Sequence, residues 1–174
     1  MLTVITLISS VLLIAVDQIT KLWAAAQLKN GNTIPVIAGV FEFQYTENRG
    51  VAFSMLQGQR WLFIPLTMIV AVAVLVVMLR SPLRRYKLFD VICVLVLSGA
   101  IGNLIDRIVY GYVIDFLYFK LIDFPIFNFA DCCVVIGSIL MFFFVLFGMK
   151  VEEDTPLRTL LLGIPVKTKE KIDE

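Results

Sequence analysis

Histidine is absent from the 174-residue chain, and cysteine occurs only as Cys93, Cys132 and Cys133. Without histidine, Ser-His and Cys-His nucleophile activation and the usual zinc ligand sets are excluded. The cysteines sit in apolar runs, where no disulfide framework is implied and a thiolate would lack a base. Charge is scarce as well: 17% of residues are Asp, Glu, Lys or Arg, against 60% hydrophobic. A soluble domain of this size has too little interior to hide that much apolar surface. Long uncharged runs therefore place the chain among membrane proteins. With a net charge of +1 and no basic patch, nothing points to a nucleic-acid partner.

Four segments are candidates to cross a bilayer, at about residues 2–27, 61–79, 88–105 and 127–149. The second, 19 residues long, makes about 28 Å of helix at 1.5 Å per residue. The first lacks a basic n-region and is interrupted by Asp17 and Lys21, so it reads as a retained helix, not a cleaved leader. "RSPLRRYK", between the second and third segments, packs four basic residues into eight, and five more lie from Lys150 onward. The positive-inside rule then puts both termini and this link in the cytoplasm and the two longer connections outside. The expected architecture is a membrane all-α bundle of four transmembrane helices, a single domain over residues 1–150. A small extracytoplasmic β-sheet element is expected in the outer loop at about 33–56, where Phe41 to Tyr45 alternates apolar and polar before a turn-like "ENRG". Residues 151–174 read as a cytoplasmic tail.

That topology gathers most of the polar residues that hydropathy does not explain at the outer leaflet. An ionisable group at mid-membrane costs roughly 2.5–3.5 kcal/mol, so several at one depth imply a shared polar cavity. Asp17 and Lys21 are spaced i, i+4, and Asn103, Asp106 and Arg107 are spaced i, i+3, i+4; each set shares a helix face. For Asp17–Lys21 a structural ion pair and direct ligand contact are both open. Asp106–Arg107 also suits a boundary pair. Asp115 and Asp131 differ, because neither has a basic residue at i±3 or i±4. Two carboxylates meeting where water is scarce cannot both ionise cheaply. One ionised and one protonated carboxyl suit aspartyl proteolysis; the alternative is a pair of unreactive helix-end caps. Asp123 before Pro125 reads as a solvated turn residue, and Asp90 as a helix-start carboxylate. The aromatics Phe116, Tyr118, Phe119, Phe124, Phe127 and Phe129 fit an interfacial belt or a lipid-accepting groove.

Five blocks recur in order along the spans: "VDQITK" (Val16 to Lys21), "TENRGVAFSM" (Thr46 to Met55), "GAIGNLIDR" (Gly99 to Arg107), "VIDF" (Val113 to Phe116) and "FNFADCCVVIG" (Phe127 to Gly137). On these blocks the chain resembles the lipoprotein signal peptidase (signal peptidase II) family. The resemblance implies a catalytic dyad at Asp115 and Asp131. It implies that Asp17, Lys21, Asn48, Gly50, Asn103, Arg107 and Asn128 shape the site or hold substrate, with Asp106 a structural partner. The implied reaction removes the signal peptide from a diacylglyceryl-modified prolipoprotein just before the lipidated cysteine. It needs no metal or other cofactor and occurs at the extracytoplasmic leaflet of the bacterial cytoplasmic (inner) membrane. Membrane lipid and cyclic peptide inhibitors such as globomycin are the other implied partners. Two other classes stand against this: a cation-coupled transporter, for which the one-leaflet clustering and missing inverted repeat count poorly, and a non-catalytic scaffold.

Overall fold

The computed structural model describes residues 2–50 and 60–148; the end of the expected outer loop (51–56), part of the second sequence block and the expected tail (151–174) lie outside them. Four long helices carry the chain: α1 (Leu2–Leu28), α2 (Arg60–Arg80), α3 (Lys87–Val109) and α4 (Phe129–Phe143), the last continued by a π turn over Phe144–Gly148. Val4–Leu28, Lys87–Val109 and Phe129–Phe147 are long and apolar enough to cross a membrane, and α2 adds the shorter apolar stretch Ile64–Arg80. Val11, Leu12 and Ile19 on α1, Leu66 and Ile69 on α2, and Ile139 and Phe142 on α4 are each more than half exposed. Apolar faces this continuous need lipid, and helices satisfy every backbone group without water.

α3 is the hub. At one end Met78, Phe89, Ile92, Cys93, Leu97 and Phe144 bury one another where α2, α3 and α4 converge. Toward α1 the contact is small and polar: Ser98 Oγ donates to the carbonyl oxygens of Val94 (2.6 Å) and Ser10 (3.3 Å), the close-packing chemistry that holds helices together in lipid. α1 and α2 splay apart around an apolar crevice of about 470 Å³ floored by Leu97 and Ile101.

α3 runs to Val109, four residues past its expected end at 105, so Asp106 and Arg107 belong to its last turns and lie within the helix. The chain then reverses at Gly111, whose φ of 81° lies in the left-handed region that ends helices at low cost for glycine.

Three antiparallel strands, β1 (Thr33–Ile37), β2 (Phe41–Asn48) and β3 (Val113–Tyr118), form one sheet in the order β1-β2-β3. It differs from the expected element twice. The hairpin reverses between Ile37 and Phe41 and not at "ENRG", and its third strand comes from the other connection. Val113, Ile114, Asp115 and Phe116 are all buried, so β3 carries no alternating pattern to announce it. Phe116 packs with Ala24 and Leu28 and seats the sheet on the end of α1. Thr46 pairs with Asp115 in the β2–β3 register.

α1, α3 and α4 meet at Gly102, where a Cβ would lie 2.5 Å from Asp17 Oδ2 and 3.2 Å from the Ala130 Cβ. Gly102→Ala therefore forces the helices apart and destabilises the fold by about 1–3 kcal/mol. Thermal unfolding in detergent should show the loss, while Val109→Ala, at an exposed position, leaves the midpoint unchanged.

Candidate active site

The site is built where the first turn of α4 meets β3. Asn128 is the N-cap of α4: its Oδ1 accepts from Asp131 N (2.9 Å), and its own N donates to Asp131 Oδ2 (3.1 Å), closing a capping box. The residue before it, Phe127, exchanges backbone hydrogen bonds with Leu117 (2.8 and 3.1 Å), which holds the cap against β3. Asn128 Nδ2 thereby reaches Asp115 Oδ1 at 2.6 Å. The same asparagine thus contacts both candidate carboxyls.

Neutral amides supply the remaining side-chain contacts. Asn48 Nδ2 donates to Asp115 Oδ2 (2.9 Å), while Asn48 Oδ1 accepts from Gly50 N (3.1 Å) and fixes the chain as it leaves β2. Asn103 Nδ2 donates to Asp131 Oδ1 at 2.7 Å, and Asn103 Oδ1 accepts from Asn128 Nδ2 at 3.1 Å. Arg107, one turn on, donates to the Asn103 carbonyl oxygen (3.3 Å).

A second layer lies behind the amides. Lys21 Nζ is 2.9 Å from Asp17 Oδ2, 3.0 Å from Asp106 Oδ2 and 2.8 Å from Asn103 Oδ1, with all three charged side chains at most 1% exposed. The ion pair of Asp106 thus reaches across to Lys21 on α1. Breaking such a buried pair costs about 3–5 kcal/mol, because the charge left behind has no water. Gln18 Nε2, grouped by sequence with the polar residues at this end of α1 but given no place in the site, contacts Asp17 Oδ2, Asp106 Oδ1 and the Gly102 carbonyl oxygen at 3.0–3.2 Å. Its signal was available: it lies beside Asp17 in an otherwise apolar helix.

All ten residues singled out from the sequence are therefore joined in one hydrogen-bonded network. Asp123 lies apart, exposed, accepting from Tyr118 Oη (2.6 Å) in a left-handed turn. Asp90 is buried in the first turn of α3. Of the aromatics, Phe116 is buried, whereas Phe119 and Phe124 are exposed beside Leu121 and Ile122 at the tip of the β3–α4 connection.

Burial, reinforced by the nearby Asp131 charge, raises the Asp115 carboxyl from its ordinary 3.8 to about 7, against the opposing pull of Asn48, Asn128 and Lys21. Asp115 is therefore about half protonated near neutrality and can give or take a proton.

The geometry offers two carboxyls held by neutral donors, an arrangement able to take part in acid–base chemistry. A family model described as signal peptidase (SPase) II matches residues 9–147. A lipoprotein signal peptidase of Clostridium tetani is 44% identical over 139 residues, covering 78% of this chain and 88% of that protein. One from Clostridioides difficile is 39% identical over 137 residues, covering 79% and 91%. A bacterial membrane enzyme solved by the in meso method at 1.9 Å resolution superimposes with a TM-score of 0.75 at 31% identity, over 83% of this chain and 94% of that one. Another, at 2.3 Å, gives 0.74 at 29% identity, over 86% and 94%.

The raised Asp115 carboxyl also bears on stability. A group whose folded pKa lies above its unfolded value stabilises fully below the unfolded value and loses that contribution as pH rises through the folded one. Between about pH 4 and 7 the wild-type chain should lose up to roughly 4 kcal/mol from this group. Asp115→Asn removes the dependence, so its unfolding midpoint should gain on wild type as pH rises from about 4 to 8.

Proposed function

The chain belongs to the signal peptidase II family, and we propose that it is an intramembrane aspartyl endopeptidase. Its substrate is a diacylglyceryl-modified prolipoprotein, cut just before the lipidated cysteine. The observation that carries the reading is the meeting of Asp115 and Asp131 at Asn128, each carboxyl accepting from neutral amide donors.

The dyad holds one proton. Its ionised member takes a proton from water, which attacks the scissile carbonyl carbon, while the protonated member donates to the carbonyl oxygen. The tetrahedral intermediate collapses as the proton gained from water passes to the leaving nitrogen and the C–N bond breaks. A hydroxyl of the intermediate gives its proton to the other carboxyl as the carbonyl re-forms, so the dyad returns to its starting state. Asn48, Asn103 and Asn128 keep both in place and, being neutral, tolerate either charge state. Asp17, Lys21, Gly50, Arg107 and Asp106 hold or shape this constellation.

Topologically, all four helices cross the bilayer of the bacterial cytoplasmic membrane, with both termini in the cytoplasm and the dyad at the extracytoplasmic leaflet. The basic residues at Arg80, Arg84, Arg85 and Lys87 support that orientation. The lipid tails of the substrate stay in the outer leaflet while its peptide reaches the sheet. Globomycin-type cyclic peptides occupy the same place.

A lipidated prolipoprotein peptide and its unlipidated twin, given to the purified chain, test this. Only the lipidated peptide should be cleaved, and Asp115→Asn or Asp131→Asn should each reduce kcat by at least about 10³-fold while the protein stays folded. The pH profile should be bell-shaped and belong to the pair, with activity falling as pH rises past about 7, where Asp115 loses its proton. Full cleavage by either variant defeats the dyad.

A further inference from the structure

Each member of the proposed dyad is preceded by a residue whose backbone N–H is gripped by a buried carboxylate. Ala130 N, one residue before Asp131, donates to Asp17 Oδ1 at 2.9 Å. Ile114 N, one residue before Asp115, donates to Asp106 Oδ2 at 3.0 Å. Between the two carboxylates stands Lys21, 2.9 Å from one and 3.0 Å from the other, and Gln18 Nε2 spans the same pair at 3.1 and 3.0 Å. We infer that Asp17, Lys21 and Asp106 form a yoke, a set of positioning residues that fixes the spacing of Asp115 and Asp131 by holding the backbone N–H of the residue before each. The inference rests on the dyad reading above and assigns a separate task to each arm.

Both N–H groups need such a partner. The first N–H groups of a helix have no intrahelical acceptor; the Asn128 side chain satisfies that of Asp131, and Asp17 that of Ala130. β3 is the outer strand of its sheet, so part of its backbone has no neighbouring strand, and there Asp106 takes the Ile114 N–H. Hydrogen bonds to a carboxylate are short and strong, and in a site closed to water they do not exchange with solvent. Lys21 is what allows two such carboxylates to stand together. Its third bond, to Asn103 Oδ1, runs into the amide layer that contacts both dyad members. A displacement of about 1 Å in a reacting group can cost on the order of 10²-fold in rate, which sets the effect expected from opening either arm.

The charged groups facing Asp115 are Asp131 from α4, Lys21 from α1 and Arg107 from α3, while β2 presents the neutral Asn48. Lys21 acts on Asp115 to favour its ionised form, so the yoke also leaves a mark on the pH profile.

The test uses the full chain in lipid nanodiscs with the lipidated prolipoprotein peptide. Asp17→Asn and Asp106→Asn keep an oxygen acceptor and should hold kcat within about 10-fold of wild type. Asp17→Ala and Asp106→Ala should lose about 100-fold, with KM within about two-fold throughout. Lys21→Met should move the kcat profile to higher pH. In ¹⁵N spectra the Ile114 amide should shift in Asp106→Asn with Ala130 unmoved, and the reverse in Asp17→Asn; this readout remains if an Ala variant fails to fold. Asn and Ala variants with equal activity per folded molecule, an unmoved pH profile, or both amides shifting alike in either Asn variant overturn the yoke. If wild type cleaves nothing, the peptidase reading falls, and the amide shifts still judge the hydrogen-bonded arms on their own.

Discussion

A lysine ammonium shut away from water must be surrounded by acceptors, and that demand at Lys21 organises one end of this bundle. Its three partners come from α1 and α3: Asp17, Asp106 and Asn103. Each partner carries the constraint onward, Asp17 to the backbone of α4, Asp106 to β3, and Asn103 to Asp131 and Asn128. Gly102 lets the helices approach closely enough for this. An element displaced by about an ångström would leave a charge in the interior without a partner, and such a charge is far more expensive than any packing contact it could gain.

The four aspartates of the network fall into two kinds, and their partners separate them. Asp17 and Asp106 pair with a cation and accept backbone N–H bonds, an arrangement that suits a carboxylate's negative charge. Asp115 and Asp131 accept instead from asparagine amides and, for Asp131, from a backbone N–H. A neutral donor tolerates loss of the negative charge, so these two are free to change protonation state during a reaction. The contrast in partners, more than the mere presence of carboxyls in an apolar chain, supports reading one pair as scaffold and the other as chemistry.

Much of this was legible in the sequence because charge in an apolar chain has few places to go. The i, i+4 spacing of Asp17 and Lys21 put them on one face of α1, and the alternation of successive spans brought the ends of α1 and α3 and the start of α4 to one end of the bundle. The sheet was only half legible. β2 is partly covered and alternates, so Phe41 to Tyr45 showed its period, whereas the buried β3 showed an apolar run with one aspartate in it. The end of α3 was missed because Asp106 and Arg107 look like a boundary when hydropathy alone is read; Asp106 is buried and paired with Lys21, and Arg107 bonds back to the Asn103 carbonyl oxygen within the helix. Gln18 was given no role in the site because an uncharged side chain does not stand out beside Asp17 and Lys21. The grip of Asp17 and Asp106 on backbone N–H groups has no sequence signature of its own, since every residue but proline carries the same backbone donor.

If the proposed dyad keeps one shared proton near neutral pH, infrared difference spectroscopy of carboxyl groups in the reconstituted chain should detect it. A protonated-carboxyl stretching band should persist in the neutral range, titrate away around pH 7, and be lost in Asp115→Asn. A spectrum with no protonated carboxyl above about pH 5, identical in wild type and variant, would mean that both aspartates are ordinary ionised groups and would contradict the shared proton.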